Sequence, residues 1–600
     1  MAHLPAPEPR WSRARRALAR PSIILVCAIA GVLVFAQALG LGFQADDLWH
    51  QIYLTRHPRW AAAGVSSPLE IFTFYDGDPA RTRFLMEQGV GAWWTDPALR
   101  VAFFRPLTAL THLVDHTLFP GSAAFAHAHS LIWYGALVAV VAAFYRRVLG
   151  ATWIAGLAAL FYALDYNHGV IATWVANRNA LIAATFGVGA VIAHARGREE
   201  GRVGARLAAA ALLGASLFAG EVGVGVLAWL VAWVWVMDRG PLRERIRALA
   251  PAIVVTLGWV IVYRAGGWGA RGSGVYLDPA REPRLFLTGI FEKVPTLVAA
   301  ELGGPGPDIV LFGPRHQQIG LALAAAALMA LGAIALAPIV RADRAARFFA
   351  LGTALSLVPA CATFVSARQL TLPGLGLIGL VAQLGAAVID RWECIPRSGA
   401  RRRVTLFMAY LAFASHLVLA PLVAQASGRQ LWFLERMIHR WSDPLDERGL
   451  AEARLVVVNA PATTFIHYIL PRRTIDGRPV PRALLTLGAG TRDIHLERPD
   501  AHTLVARQEG GFVREELELL TTHPDRRFAV GQRVSLGDVE IEVRAITADA
   551  RPQVAAFRFR APLGDASLRW VRWDGRGLVP FALPAIGDEI DIAAQGLSPF

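Results

Sequence analysis

The chain has 600 residues, 54% of them hydrophobic and 18% charged, and its mean hydropathy is positive, which excludes an ordinary soluble globular protein. Its net charge of +14 rests almost entirely on arginine, Lys293 being the only lysine. The arginines cluster between apolar runs, with neither zinc-finger spacing nor a basic aromatic platform, which excludes nucleic acid as the partner. Cys27 and Cys361 lie inside apolar segments and Cys394 in a basic loop, so neither a disulfide framework nor a metal cluster is expected.

In chain order, a basic lead-in (residues 1–21, with Arg10, Arg13, Arg15, Arg16 and Arg20) precedes an apolar segment at 22–42 long enough to cross a bilayer. The positive-inside bias places the lead-in in the cytoplasm and the following residues outside. Ala36-Gln37-Ala38 resembles a signal-cleavage site, but cleavage there leaves the same residues facing outward. Further spans are predicted at 124–145, 151–166, 174–195, 206–221, 222–237, 248–265, 318–340, 346–365, 371–389 and 404–425, about eleven in all. Arginines at 146–147, 196–206, 239–247, 341–347 and 391–403 fall in alternate loops, which puts the N-terminus inside and the C-terminus outside. The predicted transmembrane domain thus runs from 22 to 425, with long outer loops at about 43–123 and 266–317. "SPLEIFTFY" and "RFLMEQGVGAWW" in the first loop read as interfacial helices, and Trp93, Trp94, Trp133, Trp153 and Trp174 as interfacial anchors. Beyond 426, "LWFLERMIHRW" reads as a juxtamembrane amphipathic helix. After it, "ARLVVVNAP", "RALLTLGAG", "VEIEVRAITA", "AAFRFRAP" and "LRWVRWDG" alternate apolar and polar residues, predicting a β-rich outer domain over 426–600.

Asp46 and Asp47 follow the first span directly, and adjacent carboxylates at a membrane edge read either as a functional pair or as the cap of an interfacial helix. Arg105, before Pro106, is suited to bidentate contact with a phosphate or to snorkelling towards headgroups. Asp165, Asn167, His168, Asn177, Arg178 and Asn179 crowd one turn between apolar walls, a density that packing alone does not explain. Glu221 stands at an outer turn, where a helix cap and a functional role are both open. Arg368, at another outer turn, could join Arg105 and Arg178 in a cationic site for a phosphate, and Lys293 is a further candidate by its place in the second long loop.

The order of these groups resembles the GT-C superfamily of polytopic glycosyltransferases, in its protein O-mannosyltransferase-like branch that includes the tetratricopeptide-repeat O-mannosyltransferases. The resemblance covers roughly residues 20–390. It rests on Asp46-Asp47, then Arg105-Pro106-Leu107 with His127, then Asn167-His168 with Arg178, then Glu221, then Arg368 with Leu372-Pro373. Gly220, Ala367, Gly169 and Ser130 stand where that family has Lys, an acid, Pro and Asn. No tandem helical repeats are present, so the acceptor of the repeat-containing enzymes is not carried over. The resemblance implies a polyprenyl-phosphate sugar donor, most readily a mannosyl or other hexosyl donor, and transfer with inversion. It implies Asp46 as general base with Asp47 orienting it or the acceptor, and Arg105, His168, Arg178 and Arg368 on the donor phosphate. Some members of the superfamily use a divalent cation; no second clustered acid site here calls for one.

Two rival classes remain at this level, a transporter or flippase of lipid-linked saccharides and a non-catalytic membrane scaffold. The polar groups concentrate at outer span ends rather than at broken spans near the midplane, which favours the enzyme. The absence of an Asn-x-Ser/Thr sequon and the near-replacement of Lys by Arg fit a bacterial plasma membrane. The acceptor, whether protein, glycan or lipid, is not legible in the sequence.

Overall fold

The computed structural model describes residues 10–312 and 315–595. Residues 1–9 of the basic lead-in, 313 and 314 of the second long loop and 596–600 of the tail lie outside the described residues. The chain is a polytopic α-helical membrane protein with a β-rich domain, and it divides into two compact units.

The helical unit comprises residues up to Gly42, Phe104–Gly267 and Glu282–Gln430. Among the described residues six helices are long and apolar enough to cross a membrane: Ile23–Gly40, Ala123–Leu149, Val175–Glu199, Leu242–Ala265, Gln317–Ala342 and Gly399–Ser442. The other predicted spans fall on shorter helices, Trp153–Leu164, Val203–Ala219, Glu221–Met237, Arg344–Ala360 and Pro373–Ile389. Trp153–Leu164 has only 12 residues, about 18 Å at 1.5 Å per residue, too short to cross alone. It runs instead into the short turns Tyr166–His168 and Gly169–Thr173.

Helices in this unit approach closely where one contributes glycine. A Cβ on Gly376 would fall 2.2 Å from Thr353 Oγ1 and 2.5 Å from the Phe349 carbonyl oxygen, so Pro373–Ile389 can lie against Arg344–Ala360 only because that side chain is missing. Aromatic rings fill the space beside this contact. Trp229 meets Phe144 edge-on at 5.7 Å and Phe348 at 5.3 Å, geometries favoured by the ring quadrupoles.

The β-rich unit is assembled from three separated segments, Phe43–Phe103, Trp268–Arg281 and Leu431 onward. This cuts across a linear division at 426. A three-stranded antiparallel sheet takes Thr73–Asp76 and Arg100–Ala102 from the first long loop and Gly269–Arg271 from the second. A six-stranded antiparallel sheet orders Glu589–Ile592, Ile494–Glu497, Thr503–Gln508, Pro552–Phe559, Val539–Ile546 and Arg533–Leu536. A third sheet orders Leu578–Pro580, Leu568–Trp573, Arg454–Ala460 and Ala483–Ala489, its last three strands parallel.

Burial alternates along most of Val539–Ile546, as predicted. It does not in Arg454–Ala460 or Ala483–Ala489, where all seven positions of each strand are buried. A parallel pair joined by a helical crossover is covered on both faces, so it reads as a continuous apolar run. The crossover here consists of Ile466–Tyr468 and Ile469–Ile475.

Two expectations for the first loop are corrected. Trp93 and Trp94 are each 1% exposed and lie in the β core with Phe512, Phe557 and Leu487, so they are not interfacial anchors. Trp93 Nε1 donates to the Leu487 carbonyl at 3.2 Å. "SPLEIFTFY" folds as a 3-10 turn and a strand, and "RFLMEQGVGAWW" contributes the helix Pro79–Gln88, whose Met86 joins the same core. These apolar residues are covered by the protein itself. By contrast Gln430–Ser442 is the expected amphipathic helix, burying Leu434, Ile438 and Trp441 and exposing Phe433.

Candidate active site

Asp46 and Asp47 open the helix Asp46–Thr55, whose first-turn amides and dipole favour carboxylates. Ala45, at the N-cap, has no side-chain oxygen to offer, and Asp47 reaches back instead: its Oδ2 accepts from the Gln44 amide at 3.0 Å. Asp47 is 1% exposed. Ala45 itself sits at φ 47°, ψ −119°, a conformation costing a side-chain-bearing residue about 1–3 kcal/mol. The strained residue aims the helix start and divides the acids, Asp47 towards the backbone and Asp46 into a cavity.

That cavity, of about 110 Å³, lies wholly within the β-rich unit. Its walls are aromatic, with Trp49, Tyr53, Phe74, Tyr75 and Tyr276 among them, and Thr463 adds a hydroxyl. From the crossover of the third sheet, Tyr468 donates its hydroxyl to Asp46 Oδ1 at 2.5 Å. Burial and the neighbouring Asp46 carboxylate push the Tyr468 hydroxyl well above the ordinary phenol range, so it stays protonated as a donor. His467 stacks on Trp49 with centroids 6.3 Å apart, and burial holds its imidazole down to about 4, hence neutral. Glu518, also on the wall, is engaged elsewhere, by Arg492 at 2.9 Å and by the amides of Arg514 and Glu515. Tyr468 was not singled out from sequence; the aromatic run Phe465-Ile466-His467-Tyr468 between two strands is the signal it left.

The remaining predicted residues belong to the helical unit. Arg105 Nε donates to Glu221 Oε2 at 2.7 Å, and Tyr263 donates to the other Glu221 oxygen at 3.0 Å. Arg105 and Glu221 both keep partial exposure. Arg178 is fully buried: it pairs with Asp115 at 2.6 Å and donates to Ser130 Oγ, Thr111 Oγ1 and the Ala126 carbonyl. His129 meets the other Asp115 oxygen at 2.6 Å. This arginine binds helices together.

His168 is likewise buried, its Nδ1 at 3.1 Å from the Tyr162 carbonyl and 3.3 Å from the Tyr134 hydroxyl. Asn167 is 1% exposed. Asp165 accepts from the Asn167 amide at 3.0 Å, and Glu301, at the end of the helix Pro283–Glu301, is a second buried acid of this unit. His127 Nε2 lies 3.1 Å from the carbonyl of Gly42, four residues before Asp46, and fixes the end of that segment. Lys293 donates to the carbonyls of Cys361 and Thr363 at 3.0 and 2.7 Å, capping the helix Arg344–Ala360. Arg368 is half-buried with its guanidinium 4.6 Å from the Phe364 ring centroid. Asp308 from the second loop reaches this turn: its Oδ2 accepts from the Ala367 amide at 3.0 Å.

The structure therefore joins Arg105 with Glu221 and groups Asn167 with His168, while Arg178, Lys293 and His127 each hold backbone or helix contacts of their own. Among the described residues no group of three or more His, Cys, Asp or Glu side chains is arranged to hold a metal ion.

No protein-family model and no curated protein matches the sequence. Among solved structures the chain is similar to ArnT from Cupriavidus metallidurans bound to undecaprenyl phosphate, at 15% identity and a TM-score of 0.39, over 76% of this chain and 85% of that one. The apo form of the same protein gives 15% identity and a TM-score of 0.33, over 72% and 88%. The Archaeoglobus fulgidus oligosaccharyltransferase tethered to an acceptor peptide gives 13% identity and a TM-score of 0.36, over 77% and 64%. At these scores the likeness transfers no residue role.

Proposed function

We propose that this chain is a membrane glycosyltransferase of the GT-C type, moving a hexosyl group, mannosyl first among those to test, from a polyprenyl phosphate to an acceptor hydroxyl. The acceptor oxygen attacks the anomeric carbon from the face opposite the phosphate, the carbon–oxygen bond to the phosphate breaks, and polyprenyl phosphate leaves with the bonding electrons. The acceptor proton passes to Asp46, and the new linkage has inverted configuration. Asp47, tied to the Gln44 amide, orients the turn that carries Asp46. Arg105 and Arg368, partly exposed cations of the helical unit, bind the donor phosphate. His168, Arg178 and Lys293 support the helices that carry them. In this reading the protein sits in a bacterial plasma membrane with its N-terminus in the cytoplasm and its β-rich unit in the periplasm.

The observation that carries the proposal is the division of the acid pair: one carboxylate is tied to the backbone, the other lines an aromatic cavity behind a strained residue. Purified protein in nanodiscs, offered a panel of polyprenyl-phosphate sugars, is expected to release polyprenyl phosphate. Asp46→Asn should lower that release by about 10²–10⁴-fold with unchanged thermal stability. Release at the wild-type rate in Asp46→Asn removes the base from Asp46.

A further inference from the structure

The helical unit holds a cavity of about 340 Å³ at the arginine-rich end of its helices, and glycosyl transfer makes no use of it. Three helices meet there. The end of Val175–Glu199 contributes His194 and Arg198, the start of Val203–Ala219 contributes Arg206, and the first turns of Leu242–Ala265 contribute Glu244 and Arg247. Charge and apolar surface are layered along these helices. The arginines stand at the helix ends, while His194, Ala209 and Ala252 line the wall roughly one turn further in, together with Leu230 from the helix Val226–Ala232.

The cations are not equally engaged. Arg198 is tied to Asp238 at 2.5 Å, and the Glu244 carboxylate adds negative charge near it. Arg206 uses only its Nε, on the Gly197 carbonyl at 3.2 Å, and Arg247 makes no hydrogen bond or ion pair among the described residues. Both are exposed. With Arg198 set against Asp238, these two guanidiniums outweigh Glu244 and the cleft keeps a net positive charge. His194 is 7% exposed, and its Nε2 has no hydrogen-bond partner among the described residues. A buried imidazole nitrogen left in that state calls for a polar ligand.

We propose that this cleft binds the phosphodiester headgroup of an anionic membrane lipid, with Arg206 and Arg247 on the phosphate oxygens and His194 on an oxygen one turn further in. Guanidiniums suit phosphate, and basic clefts between membrane helices recruit acidic headgroups. The layering selects a lipid over a free phosphate. A small anion needs only the charged rim, whereas a lipid places its charge at the membrane surface and runs its chains inward along apolar surface. The same two helices that carry Arg206 and Ala252 also present Leu207 and Val254, both exposed. A zwitterionic headgroup would bring an ammonium to a cluster of arginines and is disfavoured. The bound lipid ties together the ends of three helices, so it stabilises the folded chain.

The full chain in neutral detergent is titrated with short-chain phosphatidylglycerol, with the matching phosphatidylcholine and with inorganic phosphate. Native mass spectrometry counts the retained lipid, and the thermal midpoint is followed in parallel. Neither readout needs turnover, so the result is independent of the transferase reading. Phosphatidylglycerol should be retained preferentially and raise the midpoint saturably. Arg206→Gln and Arg247→Gln should each weaken retention about 5-fold, and together about 25-fold. Glu244→Gln should strengthen it about 2–5-fold, a gain that a damaged fold cannot produce. Arg239→Gln with Arg243→Gln, exposed arginines of the same end that do not line the cleft, should leave retention unchanged. Equal weakening by that control pair overturns the site in favour of a diffuse basic surface. A fall in retention in Glu244→Gln overturns the assignment of the guanidiniums to the phosphate. Phosphatidylcholine retained as well as phosphatidylglycerol overturns the anionic headgroup, and inorganic phosphate that displaces phosphatidylglycerol at equal concentration overturns the lipid.

Discussion

Arg178 in the helical unit and Asp46 in the β-rich unit are both charged groups set among apolar neighbours, but they are held in opposite ways. Arg178 has no exposed surface and is surrounded by Asp115, Ser130, Thr111 and the Ala126 carbonyl, partners drawn from two other helices. Asp46 is partly exposed, lines a cavity, and takes a hydrogen bond from a tyrosine that reaches it from far along the chain. In the first arrangement the ionic group completes the packing. In the second the packing prepares an ionic group and leaves space in front of it. Polar density in an apolar segment therefore has two structural meanings, and surrounding partners distinguish them.

The sharpest way to break this comparison is to remove Arg178. Arg178→Met leaves Asp115 buried without its cation and should cost about 3–5 kcal/mol of stability, read as a large fall in thermal midpoint in nanodiscs. Asp46→Asn should leave that midpoint in place. An Arg178→Met protein that keeps its stability and loses donor affinity would put the guanidinium on the phosphate and erase the contrast. A smaller effect is expected between these extremes, at Arg105 and Glu221. Glu221→Gln frees part of the Arg105 charge, so donor KM should fall about 2–5-fold at a stability cost of roughly 1 kcal/mol. A rise in donor KM in that variant would argue that Arg105 does not touch the donor.

The smallest effect concerns pH. The His467 imidazole is depressed from 6.5 to about 4 in the folded β-rich unit, so between those values the unfolded chain binds more protons. Its contribution to stability is complete above about 6.5 and is lost as pH falls towards 4. The midpoint of the β-rich unit should decline across that window, and His467→Gln should flatten the decline. An identical slope in the variant would assign the acid sensitivity to other groups.

How much of this was legible beforehand follows from the range of each interaction. Apolar length marked the helices, and the arginine-rich segments between them made a membrane chain plain. The acids after the first span were conspicuous because nothing about lipid packing asks for them. Trp93 and Trp94 misled because an indole suits a membrane interface and a β core equally well, and only the strands that cover them decide. The two parallel strands were foreseen as strands but not as a buried pair: burial on both faces replaces the expected alternation with a continuous apolar run. Tyr468 and Asp308 were invisible as site neighbours, since each acts on a residue distant in the chain.

The β-rich unit's three-part construction bears on how the protein is made. Its first segment is synthesised early, carrying Trp93, Trp94 and Met86, yet most of the β core that buries them is encoded after Leu431. At synthesis rates of roughly 5–20 residues per second the interval is tens of seconds, during which those side chains have no native cover. The arrival of the segment after Leu431 then covers those indoles and brings Tyr468 to Asp46 together.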